Sequence, residues 1–309
     1  MTINRSTWPV SIDLQRYRLF FGMLSYLAQQ GYAGITPNWK EVFDTLTVNE
    51  ASAQVQELFS IGIFEQLSEL QEPGMDDPGQ GAKTTFVPLK YGAGMGITQE
   101  AYDDNNKGYG FDNLAAHLGE SAAYTEQLEA WGYLNNHASK TMADGQVLLS
   151  TSHVIPKTLG TYANRPTTGI DLSELSVSNM WILAKQMLDP TGRKNPIQPV
   201  SLIHPAELHF TVARLFGTPR ALGGNANDIN VVFGNQVINK QVESVFLTSP
   251  VRVFYRTNVK GLTHILRKPL YTVPDKEAGL ELIKLYAFMR FCFGCYDPRS
   301  IMGDGPGLA

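Results

Sequence analysis

Two histidines flank a glutamate in His204-Pro205-Ala206-Glu207-Leu208-His209, the residue types of a zinc-hydrolase site. A zincin helix places its histidines at i and i+4 on one face, with the glutamate as general base. Here the spacing is i and i+5 with a proline between strand and helix, so strand-end and helix-surface roles are expected instead. Cys292-Phe293-Gly294-Cys295 has C-x-x-C spacing. In an extended segment positions i and i+3 point to opposite faces, and no second cysteine pair exists to complete a zinc site. Two buried, small apolar residues are expected there. Gly92-Ala93-Gly94-Met95-Gly96 has the glycine density of a phosphate cradle, but lacks the following helix and a Lys-Ser/Thr pair. The glycines read as a flexible base for the segment before them. Asp103 and Asp104, with Glu100, could be a metal or acid/base group. Adjacent residues rarely converge on one site, and such clusters before a helix serve as turns and caps. Asp112 lies where a helix N-terminus favours negative charge. No G-x-S-x-G elbow occurs. The expectation is therefore no catalytic residue, no cofactor and no metal site.

The elements around these residues say more than the residues do. The chain has 309 residues, enough for one large domain or two smaller ones. Apolar residues make up 43% and charged residues 17%, the composition of a soluble globular protein. A net charge of -4 argues against a protein that grips nucleic acid. No secretory signal opens the chain, and its apolar runs are far too short to span a membrane. Two cysteines exclude a disulfide framework and suit a reducing compartment.

Asp13 to Gln30 reads as one helix stopped at Gly31, Pro37 opens a second with Trp39, Val42, Phe43 and Leu46 at helical spacing, and Asn49 to Phe59 makes a third. Glycine and proline then cluster from Glu72 to Gly96, around the strand-like run Thr84 to Tyr91 interrupted by Pro88. That pattern predicts a protruding, mobile ribbon. A helix of roughly 40 Å at about 1.5 Å per residue is expected over 111–137. Its stripe of Phe111, Leu114, Ala115, Leu118 and Ala122 drifts through Leu128, Trp131 and Leu134. From about Asp171 the pattern is α/β. Ser176 should cap a helix from Val177 to Leu188, Val200 to Ile203 should be a buried strand, and Pro205 should start a helix ending at Gly217. Further strands are expected at Asn230 to Phe233, Val242 to Leu247, Val251 to Thr257 and within Leu282 to Cys295. The tail Gly303 to Gly307 should be a frayed end.

The ordered set Gly96-Ile97-Thr98-Gln99-Glu100, Asp103-Asp104, Leu118-Gly119-Glu120-Ser121-Ala122-Ala123, Asp144-Gly145, Leu149-Ser150-Thr151-Ser152-His153 and Asp297-Pro298-Arg299 resembles the major head subunit of Mu-like phages. Those subunits belong to the tailed-phage major capsid proteins with the Johnson fold. The resemblance covers about 80 to 300 and rests on order and spacing. It implies an α+β chain with an N-terminal arm (1–65), an extended β-ribbon loop (66–98) and a peripheral domain (99–157) with spine helix 111–137. An α/β axial domain (158–270) would follow, then a return to the peripheral domain with the tail (271–309). The implied role is structural and non-enzymatic: hexamers and pentamers of an icosahedral virion shell, assembled in the host cytoplasm around double-stranded DNA. Its partners would be its own copies, portal, scaffolding and possibly decoration proteins, with DNA touched weakly and non-specifically and no membrane. Some relatives crosslink through a loop lysine. Lys83 and Lys90 lie in that region without an assignable acceptor, so no crosslink is expected, nor is N-terminal cleavage. Two rivals remain: another virion component such as a tail tube or decoration protein, and an α/β hydrolase or nuclease using Asp103, Asp104 and His153, which flank opposite ends of the long helix.

Overall fold

The computed structural model describes residues 10–58, 66–75, 80–98, 100, 110–155, 160–220, 229–233, 237–277 and 282–307. In chain order it runs α1 (Val10–Gly34), β1 (Asp44–Thr47), β2 (Ala53–Leu58), β3 (Gln80–Phe86), β4 (Leu89–Thr98), α2 (Phe111–Asn135), β5 (His153–Val154), β6 (Thr161–Tyr162) and α3 (Glu174–Gln186). Then come β7 (Pro199–Pro205), α4 (His209–Gly217), β8 (Lys240–Ser244), β9 (Val253–Thr257), β10 (Leu262–Glu277), β11 (Leu282–Cys295) and β12 (Ile301–Asp304). Two four-stranded sheets have the orders β1-β10-β11-β4 and β12-β9-β7-β8, and β2-β3 and β5-β6 are two-stranded. Two units result. One takes Met1–Pro37, Pro88–Gln127 and Leu266–Phe291; the other takes Asn38–Val87, Leu128–Ile265 and Cys292–Ala309. Helix α2 and strands β10 and β11 contribute residues to both.

In the first unit β4 and β11 form an antiparallel ladder from Leu89↔Phe291 to Thr98↔Leu282. Burial along β11 alternates strictly from Leu282 to Phe291, the period-2 signature of a sheet covered on one face. Ile97, Ile283, Leu285 and Ala287 of that face pack with Leu24 of α1 and Ala115 and Leu118 of α2. The two helices meet through missing side chains. A Cβ on Gly119 would fall 1.8 Å from the carbonyl oxygen of Ala28, and one on Gly31 would fall 2.1 Å from that of Ala116. Gly31 therefore does not stop α1, which continues to Gly34; its hydrogen side chain lets the backbones touch. Tyr32 closes the contact by donating to both oxygens of buried Glu126 at 2.9 Å.

In the second unit β7 runs parallel to β8 and antiparallel to β9, and β12 closes the far edge. Alternate residues serve two cores. Leu202, Tyr255 and Met302 pack with Val177 and Met180 of α3 and Val212, Leu215 and Phe216 of α4. Ile203, Phe254 and Ile301 pack with Trp39, Phe43 and the α2 residues Ala130, Trp131 and Leu134. Strands β7, β9 and β12 are buried on both faces, so they lack the alternation of a half-exposed strand, whereas the edge strand β8 buries only Val242 and Ser244.

Several sequence expectations need correction. Asn49 to Phe59 is not a helix; Ala53 to Leu58 is β2, paired antiparallel with β3, and Ala53 is buried while Gln54 and Gln56 are exposed. The candidate opened by Pro37 is a single 3-10 turn, Asn38–Glu41, followed by β1. Helix α3 starts three residues early: Ser173 is the cap, and Ser176 completes a reciprocal capping box at the third position. Pro205 ends β7 rather than beginning α4. Asn230 to Phe233 is a turn held by the Asn230 side chain, which donates to Leu215 O and Thr218 O. Leu114 and Leu128 are exposed, so the buried stripe of α2 runs through Ala115, Leu118, Ala122, Glu126, Ala130 and Leu134 instead. The glycines of β4 are not a flexible base. Gly92 and Gly94 sit in regular ladder opposite Phe288 and Tyr286, whose rings occupy the space a Cβ would need. The tail is not frayed over 303–305: β12 pairs with β9, Asp304 is buried, and its carboxylate accepts from the amides of Ile170 and Gly305.

Candidate functional site

His204, next to last in β7, is buried, with Nδ1 donating to Pro205 O at 3.0 Å. Burial holds its imidazole below its usual titration range. His209 opens α4 at the surface and pairs through Nδ1 with Glu243 at 2.6 Å. The two imidazoles are thus committed to separate partners, as i, i+5 spacing across a proline predicts. Cys292 and Cys295 lie on β11, and burial pushes their thiols up to about 11 and about 12, which keeps both protonated. Asp103 and Asp104 fall outside the described residues, and Glu100 is exposed. Among the described residues no three His, Cys, Asp or Glu side chains are placed to hold a metal ion.

His153 does enter a polar constellation. It is wholly buried on β5, stacks on Tyr162 of β6 at 5.3 Å, and donates from Nδ1 to Asp144 at 2.7 Å. Burial pulls the Asp144 carboxyl upward, but hydrogen bonds from His153 and the amides of Gln146 and Val154 outweigh it and hold it below its usual range. A cavity of about 390 Å³ opens beside this pair, lined in part by Met142, Asp144, Ile155, Tyr162, Asp189 and Arg299. Its polar walls are already engaged. Asp189 accepts from Thr191 and Arg193 of its own turn, and Arg299 is clamped on Asp297 at 2.8 Å. These bonds hold the turns that carry Asp189 and Arg299 in place.

The residue that sequence reading missed is Asn164. Fully buried, it accepts from Ser150 N and donates to Leu148 O, Pro298 O and Ile301 O, tying the segment before β5 to the segment entering β12. A lone asparagine in a loop carries no spacing signal that could have found it. Several large apolar side chains are exposed. Ribbon β2-β3 brackets residues in which Leu70 and Met75 are entirely exposed, and Phe210, Ile229 and Val231 are exposed on the second unit.

A phage capsid protein family profile matches residues 81–301, most of the chain, and the chain belongs to that family. No curated protein sequence matches it. The fold is shared with solved shells at low identity. The crystal structure of a virus-like particle from Pyrococcus furiosus is similar over 92% of this chain and 99% of that one, with TM-score 0.57 and 9% identity. The asymmetric unit of the bacteriophage PhiM1 mature capsid gives TM-score 0.55 and 12% identity over 89% and 88%. The structure of Mycobacterium phage Adephagia gives TM-score 0.55 and 12% identity over 89% and 91%. The protein is thus a structural component of a virion capsid. Among the described residues no helix is long and apolar enough to cross a membrane.

Proposed function

We propose that this chain is the repeating major head subunit of a tailed phage of the Mu-like kind, arranged as hexamers and pentamers of an icosahedral shell around double-stranded DNA. The observation that carries this reading is the family match across 81–301, which takes in β4, α2, the α/β sheet and the closing strand in one stretch. In the Johnson-fold assignment, α2 is the spine helix of the peripheral domain, and its contribution to both units supports that role. The sheet β12-β9-β7-β8 with α3 and α4 is the core of the axial domain. The ribbon β2-β3 is the extended loop, its paired strands beginning at Ala53 and ending at Phe86, a shift from the expected 66–98.

The work of such a subunit is repeated interface formation. Arm and loop reach neighbouring copies, and contacts of about 1,200–2,000 Å² each sum over a closed lattice. Portal, scaffolding and possibly decoration proteins join the same lattice, and DNA is enclosed rather than gripped, in keeping with the net charge of -4. Lys83 and Lys90 form no covalent crosslink. Reduced, boiled particles should therefore run as monomer, and a ladder of higher bands would refute that point. Negative-stain imaging of the purified chain tests the class: closed shells are expected, whereas tubes or dispersed subunits would overturn it.

A further inference from the structure

The cavity of about 390 Å³ beside Asp144 has the volume of a small-molecule site, for which about 300–1,000 Å³ is usual. Its walls belong to the second unit and come from two parts of it. Gly81 and Ala82 line it from β3 of the ribbon, and Met142, Asp144, Tyr162 and Tyr296 line it from the body of the unit. The charges on and behind those walls are not balanced. Asp189 pairs with Arg193 at 3.0 Å, and Asp297 pairs with Arg299 at 2.8 Å. Among the described residues Asp144 has no ammonium or guanidinium partner, only the ring of His153 at 2.7 Å. Hydrogen bonds hold its carboxyl below the usual range, so it is ionised near neutral pH. Oδ2 accepts from His153 and Val154 N, whereas Oδ1 accepts from Gln146 N alone and has capacity for another donor. The side chain keeps 14% of its surface exposed, so a solute in the cavity can reach it.

We propose that this cavity binds a small organic cation, a primary ammonium on a short apolar body, with the ammonium donating to Asp144. A carboxylate walled off without a counter-cation gains most from a charged donor, whose hydrogen bonds are roughly twice as strong as those of a neutral one. Met142 and Ile155 offer apolar wall to the body of the ligand, and Tyr162 and Tyr296 are aromatic side chains of the kind that attract organic cations. The bonds that fix the Asp189 and Arg299 turns set these walls before a ligand arrives, which lowers the cost of binding. An anion fits worse, because Arg299 already gives Nε and Nη2 to the two oxygens of Asp297. A ligand in this place touches both β3 and the body of the unit, and so ties the ribbon strand to that body.

The test titrates 2-phenylethylamine into the full-length chain near neutral pH, with 2-phenylethanol and phenylacetate as neutral and anionic counterparts of similar size. Saturation-transfer NMR reads binding, and hydrogen exchange reads its place. Saturable binding of the amine is expected, with the alcohol at least about tenfold weaker and phenylacetate showing none. Exchange should slow at 81–86 and 142–147. Asp144→Asn should weaken the amine about tenfold or more and leave the alcohol unchanged. Ala82 is exposed, so Ala82→Trp crowds the cavity without entering a core and should abolish binding of both. That variant keeps the test decisive if Asp144→Asn does not fold. No binding at millimolar amine, equal affinity for the alcohol, preference for phenylacetate, or binding indifferent to Ala82→Trp would overturn the proposal. None of these results bears on shell formation, which imaging tests separately.

Discussion

The two units reach close packing by opposite means. In the second, the sheet β12-β9-β7-β8 is filled from both sides by bulk: Trp39, Trp131, Phe254 and Tyr255 are all fully buried. In the first, contacts depend on what is missing. Gly31, Gly119 and Ala28 let two helix backbones touch, and Gly92 and Gly94 make room for the rings opposite them. A filled core loses stability when atoms are removed and a small-residue seam when atoms are added, so the same kind of substitution should have opposite consequences in the two regions.

The largest effect is expected from Trp131→Ala, which empties the centre of the second unit and should cost about 3–5 kcal/mol. Hydrogen exchange should then accelerate in β7, β9 and β12; acceleration confined to β4 and β11 would break the comparison. Next is a pH effect in the same unit. His264 is wedged between Trp39 at 4.5 Å and Phe293 at 4.7 Å, and burial, aided by the Lys40 charge, lowers its pKa to about 4. The unfolded chain takes that proton near pH 6.5 and the folded chain only near 4. Stability is therefore full above the former and falls by about 3 kcal/mol between the two. His264→Phe should flatten denaturant midpoints over pH 4–6.5, and an unchanged slope would assign the loss to other groups.

Gly119→Ala should cost about 1–3 kcal/mol although it adds a single carbon, because the obstacle is backbone. Equal thermal midpoints for Gly119→Ala and wild type would refute the seam. Smallest is Tyr32→Phe, which removes one charge-assisted donor to Glu126 and should lower stability by about 1–2 kcal/mol. No loss would make that contact incidental.

What could be read beforehand follows the same division. Apolar runs marked β7 and β9, a β-rich run marked β11, and the 3.6-residue recurrence of apolar side chains gave the extent of α2. The seam was not legible, because glycine looks like a breaker whether it ends a helix or lets another pass. Gly31 and the glycines of β4 were misread for that reason. Strand β10 was hidden by Pro269 and Pro274, which lack the amide a ladder uses. The tail looked frayed because Gly303 and Gly305 serve long-range contacts, with Leu149 and Arg252, that local composition does not encode. The spacing of His204 and His209 alone pointed to separate strand-end and helix-surface positions, and those are the positions the two residues take. Asn164 and the Asp144–His153 pair were fixed by tertiary contacts that no local motif records.

Whether the chain builds a closed shell is decided by cryo-electron microscopy of particles made from it. Closed icosahedral shells are expected, with the reconstruction resolving the chain as hexamers and pentamers. Homogeneous tubes, or a chain that stays monomeric under assembly conditions, would contradict that expectation.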